Sequence, residues 1–488
     1  MLSRASWAAT ALASVILTLS TTSTTAATST TGAAARYATT QGSAPHAQLS
    51  PFESCVPTDP TVGCARLTVP LDYDHPHRHS IRVTVARRRA AKPNQRIGVL
   101  FVNPGGPGGS AIALVRQLSL PAAITDRFDI VGVEPRGLPV ATPVRCNGAA
   151  LQGTTLSAAT AAAYARSCAR LSGPLLPFIN SQAAARDVES ARVALHEPKA
   201  SFLVYSYGSL LALAYLRHFP ERTRAIVMDA PVDPTQPSLG AHITALENAL
   251  AAFLHDCAMA GPQGRSPAVP PCGLSKHGSP ADRLRAAQAR FANGPIAAAG
   301  VGRPSIDRAT FETVMVTLLA NGNFKSLAQL IDDTAGGSTR WLTSAVAYLG
   351  VDASSFRPYG DANNGVYEAY LCRDGMAPTN DRSPKSETFA NYALRRLGAD
   401  RCRQWPAAPL PTEAIVATTI PTLVISTTFD VRSPLAWAES VASGLHAPLL
   451  SFVGAGHGIV GEGNPCVDDQ VAELLVHLKG PVQARSSC

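Results

Sequence analysis

Residues 201–210 read SFLVYSYGSL, and the reading of Ser206 decides the fold. A run of mixed apolar and β-branched character leads into this serine. Tyr207 and Gly208 follow, and then a helical pattern, SLLALAYLRHF. A strand that ends in serine and turns at once into a helix is the layout of a nucleophile elbow, usually written G-x-S-x-G. Here Val204 stands at the first glycine position. S-x-G alone is a weak signal, and an ordinary turn serine is the competing reading.

The surroundings favour the elbow. Four short apolar runs in the first half, RIGVLFVNPGG, RFDIVGVEPRG, SFLVYSYG and RAIVMDAP, each read as a buried parallel strand ending in a loop. SQAAARDVESARVALHE lies between the second and third and reads as a helix, with Ser181 expected at its N-cap. Alternating strands and helices imply an α/β sheet. The earlier segment ARLTVPLDYDHPHRHSIRVTVARR reads as an antiparallel hairpin at the sheet edge. Beyond about residue 240 helical periodicity takes over, as in HITALENALAAFLHDCA and DRATFETVMVTLLA. Strand character returns with PTLVISTTFD and PLLSFVGAGHG. The expected division is core at 51–237, a helical cap at 238–405 and core again at 406–488.

The N-terminus reads as an export signal. Arg4 precedes the apolar stretch ASWAATALASVILTL, too short to span a membrane comfortably. Residues 1–35 are expected to be the signal, cleaved after Ala27 or after the alanines at 33–35, and 36–50 a low-complexity segment. No membrane association is expected after cleavage. Ten cysteines in 488 residues fit an exported protein. They fall in neighbouring pairs, Cys55/Cys64, Cys146/Cys168, Cys257/Cys272, Cys372/Cys402 and Cys466/Cys488, and bridging within each pair is the simplest expectation. No CxxC occurs, which argues against zinc or thioredoxin-like chemistry. The net charge of +8 accompanies no nucleic-acid motif, so it reads as a solvated surface.

Function in open parallel sheets gathers at the carboxyl ends of the strands. Four expected strand ends carry useful residues: the glycine turn PGGPGGS, Ser206, Asp430 and His457. The order Ser…Asp…His is that of α/β-hydrolases. A serine hydroxyl needs a base, which His457 supplies, and Asp430 would fix the imidazole tautomer. The backbone N–H groups of Tyr207 and Gly106 are the expected oxyanion-hole donors. Asp229 and Asp233 compete with Asp430 for the acid role; the spacing from Asp430 to His457 suits one β-α-β step. Ser110, Ser209 and Ser426 read as structural.

The chain resembles the secreted bacterial tripeptidyl aminopeptidases, α/β-hydrolases related to proline iminopeptidases. The matching pieces are FVNPGGPGGS, FDIVGVEPRG followed by Cys146, YSYGS, AIVMDAPVDP, EAYLCRDG, DVRSP, GAGHG and the tail from Cys466 to Cys488. Val204 and Glu134 depart from the family pattern, which has glycine and more often aspartate there. The resemblance implies an α/β-hydrolase fold with an inserted helical cap. It implies a serine exopeptidase that releases short peptides, tripeptides by preference, from peptide substrates with a free N-terminus. No metal or organic cofactor is implied. Glu368 and Asp374 are the expected partners of the substrate ammonium, against the alternative that Asp374 caps a turn and Glu368 is a solvated helix charge. Two other readings stand beside this one: an esterase for small acyl esters, and a non-catalytic binding protein of the same fold. Activity is expected to fall on acidification, because the catalytic base must be neutral.

Overall fold

The computed structural model describes residues 48–56, 59–140, 142–147, 158–236, 239–260, 272–297, 305–348, 364–377, 386–392, 402–480 and 485–488. The expected signal peptide and almost all of the 36–50 segment lie outside the described residues.

Eleven strands among the described residues make one sheet. At its N-terminal end lie β1 (Gln48–Leu49), β2 (Glu53–Val56), β3 (Asp59–Pro70) and β4 (Ser80–Arg88). β3 and β4 are the expected antiparallel hairpin, paired from Val62↔Arg88 to Pro70↔Ser80. The parallel centre comprises β5 (Gly98–Asn103), β6 (Phe128–Val133), β7 (Ala200–Tyr205) and β8 (Thr223–Asp229). A small hairpin, β9 (Ile296–Ala297) and β10 (Ser305–Ile306), stands apart. The main sheet resumes with β11 (Thr422–Phe429), β12 (Leu449–Ala455) and β13 (Arg485–Ser487). The spatial order is β1-β3-β4-β6-β5-β7-β8-β11-β12-β13, with β2 on β3.

β5 and β6 are buried along their whole length, as their largely apolar sequences require of central parallel strands, and the buried Asp129 of β6 accepts from Ala90 N. Alternate residues feed two cores. Val99, Phe101, Phe202 and Val204 enter one; Leu100, Val102 and Leu203 enter the other. The second core is closed by α1 (Ala111–Gln117), through Val115, and the short α2 (Ala122–Thr125), through Ile124. The first is closed by α3 (Ala158–Ser172), α4 (Ser181–Ala194) and α5 (Gly208–His218). α5 is buried from Gly208 to Leu216, so it carries no polar face there.

α4 starts one residue earlier than expected. Asn180, not Ser181, is the N-cap, with its side chain accepting from Ala183 N. Ser181 has turned inward, and its hydroxyl donates to Asp374 instead.

The helices between β8 and β11 form a third core of their own. They include α6 (Leu239–Ala260), α7 (Pro280–Ala289), α8 (Arg308–Ala320), α9 (Phe324–Ala335) and α10 (Arg340–Tyr348). Phe253, Phe291, Phe311, Leu327 and Leu342 are among the residues that fill it. α11 (Asn364–Arg373) belongs elsewhere: Val366, Ala369 and Tyr370 pack into the first core, against the sheet. The fold closes with α12 (Leu435–Leu445) and α13 (Pro465–His477). The ten cysteines form five bridges, each between sequence neighbours.

One buried ion pair fastens the sheet to α4. Arg136, from the segment EPRG, is fully buried and meets both carboxylate oxygens of Asp187, at 2.6 and 2.8 Å. Its remaining donors reach the carbonyls of Pro70, Leu71 and Phe178. Every hydrogen-bonding position of the guanidinium is thus engaged, which offsets the cost of burying it. Replacing Asp187 by Ala leaves that cation without its anion. We expect a stability loss of about 3–5 kcal/mol, read by urea unfolding with the disulfides intact.

Candidate active site

Ser206 follows β7 with φ +53°, a left-handed conformation that is costly for a residue with a side chain. Its backbone N–H donates to the carbonyl of Asp229 at 2.9 Å. The turn is tight on two sides. A Cβ at Gly208 would lie 2.7 Å from Asn103 Oδ1, and one at Gly105 would lie 2.5 Å from the Tyr205 carbonyl oxygen. Neither contact involves Val204. That side chain is buried in the core shared with Phe202 and Leu211, so the missing elbow glycine leaves the turn intact.

The glycine loop lies against the elbow. The Gly105 Cβ position falls 2.8 Å from Tyr207 N. Gly105 N–H donates to Asn103 Oδ1, and residue 107 is a proline with no N–H. The N–H groups of Gly106 and Tyr207 have no acceptor among the described residues. Two free donors therefore flank the serine. Glu134 fixes the far end of the loop by accepting from Ser110 Oγ and Ile112 N at the start of α1. Burial pushes the Glu134 carboxyl above its usual range. Ser110 is the α1 N-cap, and Ser209 is occupied by the backbone of Val232. Ser426 bonds the carbonyl of Thr427. These three serines are structural, as their sequence contexts suggest.

His457 follows β12. Its Nδ1 lies 2.8 Å from Asp430 Oδ2 and 3.1 Å from Oδ1. Asp430 is almost completely buried, and its Oδ1 also accepts from the N–H groups of Arg432 and Ser433. The acid is thus aimed by its own turn before it meets the histidine. The rival acids are engaged otherwise. Asp233 Oδ1 closes a turn with Thr235, and Asp229 Oδ2 accepts from Ile459 N and Val460 N. Burial raises the Asp229 carboxyl to about 6, against the lowering effect of those two N–H groups and of His457.

The two expected ammonium partners lie on α11 and just past its end. Asp374 sits at the buried start of α4. It accepts from Ser181 N, Ser181 Oγ and Tyr207 Oη at 2.9, 2.7 and 2.9 Å. A helix N-terminus and two hydroxyls satisfy this carboxylate, so it anchors the residue after Ser206. Glu368 lies on α11 beside Cys372 and Cys402, whose sulfurs are joined in a disulfide. Val366 packs on Gly108, and a residue two positions along a helix points to the other side. Glu368 is therefore turned away from the glycine loop.

Burial also raises Asp374, from 3.8 to about 6, with its three donors pulling the other way. Between those values the folded protein holds a proton that the unfolded chain has lost. The stabilisation is complete below the lower value and disappears as pH rises through the higher one. Asp374→Asn has no such titration. The stability gap between wild type and Asp374→Asn should therefore shrink from pH 4 to pH 7 in urea unfolding series; a gap that widened would contradict the assignment.

Comparison with known proteins agrees with this architecture. The alpha/beta hydrolase fold family model matches residues 98–256, and the model described as TAP-like protein matches residues 386–488. Together they span more than half of the chain. The chain is similar to the serine protease Hip1 of Mycobacterium tuberculosis, 29% identical over 85% of this chain and 85% of that protein. It is similar to the tripeptidyl aminopeptidase of Streptomyces coelicolor, 26% identical over 87% of this chain and 82% of the relative. It is also similar to a carboxylesterase B of Mycobacterium tuberculosis, 29% identical over 85% and 84%. With a serine on a strand-to-helix turn, a histidine–aspartate pair and a glycine loop at the carboxyl ends of one sheet, the chain belongs to the TAP-like α/β-hydrolase family of serine hydrolases.

Proposed function

We propose that the protein is a secreted serine exopeptidase that releases short peptides, tripeptides by preference, from free N-termini. The observation that carries this reading is the His457–Asp430 pair together with the two unpaired N–H groups of Gly106 and Tyr207 beside Ser206. Donation from Nδ1 to Asp430 leaves Nε2 to accept the Ser206 proton. Ser206 Oγ then attacks the scissile carbonyl. Gly106 and Tyr207 N–H receive the oxyanion, and losing one such donor costs about 3–4 kcal/mol of barrier. His457 returns the proton to the leaving amine, which departs with the C-terminal part of the substrate. Water, deprotonated by His457, attacks the acyl-enzyme and frees the N-terminal fragment. No step needs a metal or an organic cofactor.

Two of the similar proteins bear peptidase names, which supports the peptidase reading. The helices α6–α10, with a core that meets the sheet at Phe429 and Val431, suit a cap that limits access to chain ends. Five disulfides suit an oxidising compartment, and no helix among the described residues is long and apolar enough to cross a membrane. A relative named carboxylesterase keeps small acyl esters as the second reading.

Ser206→Ala should abolish turnover while the thermal unfolding temperature stays nearly unchanged, measured on the same preparation. A tripeptide p-nitroanilide with a free amine should be cleaved far faster than its N-acetylated form. Equal rates on the two, with faster cleavage of a small acyl ester, would select the esterase.

A further inference from the structure

Asp229 is a buried carboxylate that the mechanism above does not use, yet it touches both halves of the site. Its backbone carbonyl accepts the N–H of Ser206 at 2.9 Å. Its side-chain Oδ2 accepts the N–H groups of Ile459 and Val460, at 2.7 and 2.8 Å. Those are the second and third residues after His457. Tyr205, just before Ser206, donates its hydroxyl to the carbonyl of Val460 at 3.0 Å. Gly458 closes the gap: it has φ +84°, and a Cβ there would lie 3.4 Å from the Tyr205 ring and 3.5 Å from Asp229 Oδ2. The histidine loop is thus gripped beside the serine by side chains from β7 and the end of β8.

We propose that Asp229 is a positioning residue, which holds the His457 loop in register with Ser206 by accepting the Ile459 and Val460 N–H groups. It is not the acid of the triad, because the imidazole meets Asp430 and only the loop backbone meets Asp229. A residue needed only for packing would not require a carboxylate here. Asp229 is completely buried, and its Oδ1 has no partner, so the two loop N–H groups are what its side chain binds. The charged and titratable groups around it are His457, Asp430 and the Tyr205 hydroxyl, with Asp468 and Glu462 near that hydroxyl. No cation other than protonated His457 is among them.

This inference rests on the proposed triad, and the experiment separates the two. Asp229→Asn keeps an acceptor oxygen for both N–H groups, and its amide nitrogen replaces an oxygen that has no partner. Asp229→Leu is close in size, carries no acceptor and removes a buried charge, so the fold is expected to persist. In the full disulfide-bonded chain, fluorophosphonate labelling of the serine and kcat and KM for a small p-nitrophenyl ester are measured. Misplacing the base by about 1 Å is expected to cost Asp229→Leu about 100-fold in labelling rate and in kcat, with KM changed by about twofold or less. Asp229→Asn should stay within about tenfold of wild type, having lost the charge but kept the loop. Leu and Asn variants with equal rates, or a Leu variant that labels like wild type, would overturn the proposal. Ser206→Ala serves as the control. If it labels like wild type the triad itself is wrong; if it fails to label while Asp229→Leu labels normally, the triad stands and only the positioning role falls.

Discussion

The left-handed backbone at Ser206 is the constraint on which the rest of the molecule depends. A residue with a side chain takes φ +53° only when its neighbours over-determine it. Here they do. Ser206 N–H is bound to Asp229, Gly208 leaves room for Asn103, and Gly105 leaves room for the Tyr205 carbonyl. Each of these three fixes another part of the site in turn. Asp229 carries the histidine loop, and Asn103 holds the Gly105 N–H. The close approach of Gly105 brings the glycine loop to Tyr207. The strain at one residue is therefore shared by strands β5, β7 and β8, all buried, which have little freedom to relax it.

Much of this was legible in the sequence because it depends on local patterns. Largely apolar runs such as GVLFVN and FDIVGV identify central parallel strands, and the residues at their ends follow from the chain order. Cysteine pairs close in sequence were enough to anticipate the bridges. Val204 looked like a defect in the elbow only because the sequence does not show which residues the turn crowds; Gly105, about a hundred residues earlier, supplies the space.

What sequence reasoning missed depends on distant partners. Asp374 reads as an acid beside a cysteine, but its role is set by Ser181 and Tyr207, each more than 160 residues away. Glu368 has the composition of a binding residue, yet the helical phase set by Val366 turns it from the loop. The Arg136–Asp187 pair had no local signature either. Some missed features did carry signals. Asn180 precedes the helix as an N-cap with the same chemistry as Ser181, so a one-residue error was easy. α9 shows Leu327, Leu330 and Ile331 at helical spacing after a capping Asn323. The short β13 offers only three residues, too few for any pattern.

α11 has a consequence for what the site can tolerate. At its start Val366 leans on Gly108, just past its end Asp374 holds Tyr207, and Cys372 ties it to the segment leading back to the sheet. One helix thus braces the loops that carry both free N–H groups. A movement that carried α11 away from the sheet would drag those donors with it and dismantle the site. α11 is thus the door frame of the site, built into the core of the sheet, while α6–α10 are gathered around another.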